Sequence, residues 1–91
     1  MEIKKLSAIP YGNACVEIVN DNNFYLWSYR TLVCKVENNW LTVNGLYSAT
    51  TRRHIGAFMR EYCKSNYQVA KQIYTDGYRL NIDTGEVERI E

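Results

Sequence analysis

The sequence predicts an α+β fold: an antiparallel β-sheet of three to five strands packed on one main α-helix, with a short second helix and a C-terminal hairpin. Three observations carry this expectation. Residues 14–43 alternate β-branched and aromatic residues between polar clusters, the two-residue period of strands. Residues 51–63 change to the 3.6-residue period of an amphipathic helix. The chain has 91 residues, 46% hydrophobic and 23% charged, which suits one folded domain, 1–91, with a single modest core.

Cys15-Val16-Glu17-Ile18-Val19 reads as a first strand, and Asn20-Asp21-Asn22-Asn23 supplies turn residues that tolerate left-handed backbone. Phe24-Tyr25-Leu26-Trp27 is the return strand. Thr31 to Val36 is the next, followed by a turn at Glu37-Asn38-Asn39 and a strand from Trp40 to Asn44. The join Ser28-Tyr29-Arg30-Thr31 contains neither Gly nor Pro, so a bent continuous strand and a hairpin both fit it. Alternation sends Phe24 and Leu26 to one face and Tyr25, Trp27 and Tyr29 to the other. The following helix can cover one face. The second needs the rest of the chain or a partner.

Gly45 ends the sheet segment, and Ser48, Thr50 and Thr51 offer N-cap hydroxyls. Ile55, Phe58, Met59 and Tyr62 fall at i, i+3, i+4 and i+7, the apolar stripe of a helix over about Thr51–Cys63. Arg53, Ala57 and Arg60 fall on the opposite side, with His54 and Cys63 on the borders. Ser65-Asn66-Tyr67-Gln68 fits a capping box, which predicts a second helix through about Tyr74, stopped by Thr75-Asp76-Gly77. Tyr78–Ile82 and Glu86–Glu88 read as the C-terminal hairpin, where a two-residue loop at Thr84-Gly85 would set Ile82 opposite Val87.

Several function classes lose support at this point. Nothing after Met1 has the apolar length of a signal peptide, and nothing approaches the roughly 18 apolar residues of a membrane span. The cytoplasm is therefore expected, with no membrane partner. Cys15, Cys34 and Cys63 are odd in number and far apart, and one histidine does not complete a zinc site with them. Free thiols, no metal and no cofactor are expected. No glycine-rich phosphate loop precedes a helix, and no carboxylate pair stands out. His54 is the one candidate general base, but flanking the first helical turn, bonded to Thr50, Thr51 or the preceding loop, is the favoured role. A non-enzyme is expected.

Binding chemistry concentrates in two places. Thr50-Thr51-Arg52-Arg53-His54 opens the helix, where partial positive charge disfavours basic residues. Arg52 and Arg53 beside free backbone N–H groups and two hydroxyls would trap an anion, and Arg60 and Lys64 extend the basic row. Between Thr50 and Gln72 only Glu61 opposes five basic residues, whereas Asp76–Glu91 is acidic, so the chain is bipolar at a net charge of +1. The second place is aromatic. Eight of the twelve aromatic residues are tyrosines, and Tyr25, Trp27 and Tyr29 share one predicted face.

Ser28-Tyr29-Arg30-Thr31-Leu32-Val33, followed by Tyr47-Ser48-Ala49-Thr50-Thr51-Arg52-Arg53-His54-Ile55 and then Phe58, resembles a known signature. The signature is Ser-Tyr-x-Thr-x-Val, then Ser-x-Thr-Thr-x-x-His-Ile with an aromatic three residues later. It belongs to a group of small uncharacterised proteins carried by bacteriophages and mobile elements of Gram-positive bacteria. The resemblance covers roughly Tyr11 to Met59. It implies a phage or prophage origin and no catalytic residue. The expected function is accordingly a small phage- or mobile-element-encoded protein that binds a host protein, an inhibitor of a defence system such as a CRISPR nuclease being one version. The alternative is a nucleic-acid or nucleotide-binding accessory protein that uses Arg52, Arg53, Arg60 and Lys64, with Tyr and Trp as stacking surfaces. The bipolar charge also fits a head-to-tail homo-oligomer.

Overall fold

Strand pairing begins earlier in the chain than the alternating pattern does. The computed structural model describes Met1–Ile90 and contains β1 (Glu2–Lys5), β2 (Ala14–Asn20), β3 (Asn23–Ser28), β4 (Thr31–Glu37) and β5 (Trp40–Val43). Two helices follow, α1 (Ala49–Tyr62) and α2 (Tyr67–Asp76), then β6 (Tyr78–Asn81) and β7 (Val87–Arg89). The strands form one antiparallel sheet in the order β1 to β7. The α+β class is as expected, but the sheet has seven strands rather than three to five. Glu2-Ile3-Lys4-Lys5 gave no strand signal because it is an exposed edge, which needs backbone pairing and tolerates charge. The C-terminal hairpin adds the other two strands, since Leu80 pairs with Leu41 of β5.

Ser28 pairs with Thr31, so β3 and β4 form a hairpin with a two-residue loop and not a bent strand. Tyr29 takes a left-handed φ of 57° in that loop. The β4–β5 turn makes the same demand of Asn38 and Asn39, residues whose short polar side chains tolerate it. A tyrosine there costs on the order of 1 kcal/mol. The Tyr29 N–H donates to the Asn13 carbonyl at 2.6 Å, which ties this turn to the β1–β2 loop. Further along β4 the register shifts at Val33, so that Val33 and Cys34 are both buried.

The helix ends select among the capping residues expected for α1 and correct the one expected for α2. Ser48 alone caps α1, its Oγ accepting from the Thr51 N–H at 3.2 Å. Asn66, not Ser65, caps α2 through the Val69 N–H at 3.1 Å. Gly77 closes α2 in the left-handed conformation (φ 73°) and donates its N–H to the last carbonyls.

Val16, Phe24, Leu26, Val36 and Leu41 form the inner sheet face, and Ile55, Phe58, Met59, Ala70 and Ile73 of the helices pack over it. The Phe58 ring meets Phe24 edge-on at 5.9 Å and stacks on the half-buried Tyr62 at 5.5 Å. Ala57 is buried rather than solvent-facing. The β1–β2 loop crosses that side of α1, with Ser7 donating its N–H (2.7 Å) and hydroxyl (3.1 Å) to the Glu61 carboxylate. In the C-terminal hairpin Leu80, not Ile82, faces Val87. The Asn81 carboxamide oxygen accepts the N–H groups of Asp83 and Thr84 and so organises a four-residue loop. Apolar matching does not reveal such a cap.

Phe58→Ala should lower stability by about 3–5 kcal/mol, read as a shift of the urea midpoint, because the ring is wholly enclosed. The thiols should divide by burial. Burial pushes Cys63 up to about 12, and Cys34 is raised by burial and by Cys63 nearby. Alkylation of the folded protein at mild alkaline pH should modify only the half-exposed Cys15, and all three cysteines should react after unfolding, counted by mass.

Candidate functional site

Both helices lie against the same sheet face, α1 on β3 and β4 and α2 on β5 and β6. Among the described residues no further layer covers the other face. Strand register places Tyr25 between Glu17 and Lys35, and Trp27 between Cys15 and Leu32. Trp40 lies on the same side, paired with Glu37 and Asn81. These rings are half-buried because neighbouring side chains flank them.

Each ring is also held by a polar partner. The Trp27 indole N–H donates to Glu17 at 3.0 Å, and the Tyr25 hydroxyl donates to Glu37 at 3.1 Å. That bond to a carboxylate lifts the Tyr25 pKa above its ordinary value. The Arg79 guanidinium sits 4.2 Å over the Trp40 ring and bonds Glu88 at 2.6 Å. The face therefore carries ordered aromatic rings and charges of both signs, with Lys35 also 3.9 Å from Glu37.

The residues expected to form a basic helix start are arranged differently. Arg52, Arg53, Arg60 and Lys64 are exposed on the helix layer and form no ion pair among the described residues. The Arg52 amide already donates to the Ser48 carbonyl at 3.0 Å, so it is not a free anion donor. Thr51 is only 5% exposed and turns inward, which removes it from the surface. Its Oγ1 lies 3.2 Å from both Ser48 Oγ and Ser28 Oγ, and Ser28 Oγ lies 2.8 Å from His54 Nδ1.

His54 thus bonds a β3 serine rather than Thr50, Thr51 or the preceding loop. Burial, then the nearby Arg53 charge, holds it below the ordinary histidine range, so it is neutral near pH 7. Ser28 is 1% exposed, and its hydroxyl serves this buried network.

Tyr29 also departs from expectation. It lies in the β3–β4 turn, 57% exposed, and not on the open sheet face with Tyr25 and Trp27. Its ring stands 6.1 Å from the His54 ring. Thr50, Arg53, Tyr29 and His54 meet the β1–β2 loop around a cleft of about 340 Å³. The fold therefore separates the nominated residues into an aromatic sheet face, a basic helix layer and a cleft at the helix start.

Residues 1–76 match DUF8033, described as a family of unknown function. The chain is a DUF8033 protein. The region matched to DUF8033 includes Tyr25, Trp27, Trp40 and every cleft residue named above, whereas Arg79 and the β6–β7 hairpin lie beyond it. No curated protein and no solved structure gives a significant match. Sequence reasoning passed over Trp40, Glu17, Glu37, Lys35 and Arg79 as site residues. Period-two alternation hinted at their shared face, but only the register of five strands sets them side by side.

The buried His54 makes a pH prediction. Its folded pKa lies below its unfolded value near 6.5, so the unfolded chain binds the proton more readily. Its contribution is full above that value and is lost as pH falls below it. The melting temperature should drop between about pH 7 and about pH 5, and His54→Gln should flatten that slope.

Proposed function

We propose that this DUF8033 protein is a non-catalytic binding module, encoded by a phage or mobile element, whose open sheet face docks a host protein. The observation that carries this reading is the uncovered face on which Tyr25, Trp27 and Trp40 are each held by a charged neighbour. Tyrosine, tryptophan and arginine are the residues that dominate protein interfaces when they are rigid and half-enclosed. Seven strands about 4.8 Å apart span roughly 29 Å, enough for the ~800 Å² that each partner contributes to a standard interface. The origin rests on the phage-group resemblance. Blocking a defence enzyme by covering one of its surfaces is one activity of this kind.

Charge argues for a protein over a nucleic acid at this face. Lys35 and Arg79 are opposed there by Glu17, Glu37 and Glu88, a mixture that suits a protein surface and repels a polyanion. Arg52, Arg60 and Lys64 sit on the opposite layer. They do not hold the backbone of a strand whose bases stack on Trp27 and Trp40.

The test is capture of a host protein from nuclease-treated lysate, followed by affinity measurement on the purified pair. Trp27→Ala and Trp40→Ala should each weaken binding by at least about 2 kcal/mol, roughly thirtyfold. Arg52→Glu with Arg60→Glu should leave it unchanged. Loss of capture after nuclease treatment, or a loss confined to the arginine variant, would favour the nucleic-acid reading. A wild-type dimer that Trp40→Ala converts to a monomer would make the face a self-interface.

A further inference from the structure

Three pieces of chain, remote in sequence, wall the cleft beside α1: the loop Ala8–Asn13, Tyr29 of the β3–β4 turn and the first turns of the helix. We propose that this cleft binds a nucleoside phosphate, its phosphate held by Arg53 and the start of α1 and its base laid against Tyr29. The site is separate from the open sheet face and stands independently of the role given to that face.

A nitrogen of a buried ring, itself open to the cleft, is the first support. His54 is only 2% exposed, and its Nδ1 is occupied by Ser28. Its Nε2 has no hydrogen-bond partner among the described residues, yet no buried side-chain polar atom there is sealed without one. Nε2 therefore opens onto the cleft that His54 lines. The hydroxyls of Ser28, Thr51 and Ser48 connect in series behind Nδ1, and each can rotate to donate or accept. Either imidazole tautomer is satisfied, so Nε2 can donate to a phosphate or accept from a base.

Electrostatics supplies the second support. A second hollow of about 590 Å³ adjoins the cleft, sharing Asn13 and Tyr29 in its wall. The charged residues lining the two hollows are Lys5, Arg30 and Arg53, with no acid among them. The N–H groups of Ala49 and Thr50 precede the first helical bond and add partial positive charge beside Arg53. Hollows of about 300–1,000 Å³ are the usual size for small-molecule ligands.

Backbone cost supplies the third. Tyr29 occupies a left-handed turn position that glycine or asparagine fills with less strain, and it keeps more than half its surface exposed. A ring held against local preference at the cleft mouth fits a contact with a planar ligand. Gly12 completes the space: a Cβ there would stand 3.3 Å from His54 Nε2 and press on the nitrogen that faces the ligand.

The test is an NMR amide titration of the full chain with the four ribonucleoside 5′-monophosphates, inorganic phosphate, the unphosphorylated nucleosides and a short single-stranded oligonucleotide. At least one monophosphate should saturate the signals of Gly12, Tyr29, Thr50 and His54 below about 1 mM. Phosphate or nucleoside alone should bind about tenfold more weakly or worse. Response to the oligonucleotide at the same residues, with none to monophosphates, would assign the site to a nucleotide within a strand and still support it. Tyr29→Gly should keep or raise the melting temperature while weakening binding about tenfold, and Arg53→Gln should weaken it similarly with the fold intact. Silence at these residues with every probe up to about 10 mM would overturn the proposal. So would inorganic phosphate binding as tightly as the nucleotides, or a Tyr29→Gly protein that binds as well as the wild type.

Discussion

Burial of Phe24, Leu26 and Val36 under Ile55, Phe58 and Met59 is the contact on which the remaining structure depends. It commits both helices to one side of the sheet, and no other described element covers the second. Helices of 14 and 10 residues are about 21 and 15 Å long, while seven strands span roughly 29 Å. Within the described residues, one face of this wide sheet is buried by the helices and the second is bare. The rings of Tyr25, Trp27 and Trp40 meet that condition with an apolar body between neighbours and, for Tyr25 and Trp27, a polar tip bonded to a carboxylate.

The β1–β2 loop has an influence out of proportion to its length. Leu6 is fully buried, Ser7 is bonded to Glu61, and Asn13 accepts from the Tyr29 amide. These attachments press the loop along the side of α1 that carries His54, Ala57 and Glu61. They shut His54 away from solvent on one edge and leave its Nε2 facing the cleft. The strained Tyr29 of the β3–β4 turn thereby comes beside the buried His54 and the exposed Arg53 of α1. The hydroxyl series from His54 to Ser48 keeps this polar group satisfied inside an otherwise apolar interior.

Charge follows the layers. The helix layer presents Arg52, Arg53, Arg60 and Lys64 without ion-pair partners among the described residues, whereas acids and bases alternate across the open sheet face. Tertiary structure thus turns a bipolar sequence into two surfaces with different chemistry. The unpaired arginines suit phosphate, and the mixed face suits a protein.

Elements governed by local periodicity were readable from the residues alone. The 3.6-residue stripe of Ile55, Phe58, Met59 and Tyr62 defined α1, and alternation across Phe24–Trp27 defined β3 and its inward face, because those periods are properties of the backbone itself. Contacts between remote segments were not readable. The edge strand β1 carries charges that only pairing with β2 explains, and Ala57 is buried on the side of α1 where the β1–β2 loop reaches His54 and Glu61. Tyr29 alternates with Trp27 in sequence, yet a two-residue turn takes it off the sheet and sets it beside His54. Thr51 reads as a surface hydroxyl until Ser28 is brought against it. Periodicity decides which face of an element is apolar, but which element covers that face, and which polar groups meet at its ends, depends on strand register and loop path, and those are settled only when the whole chain packs.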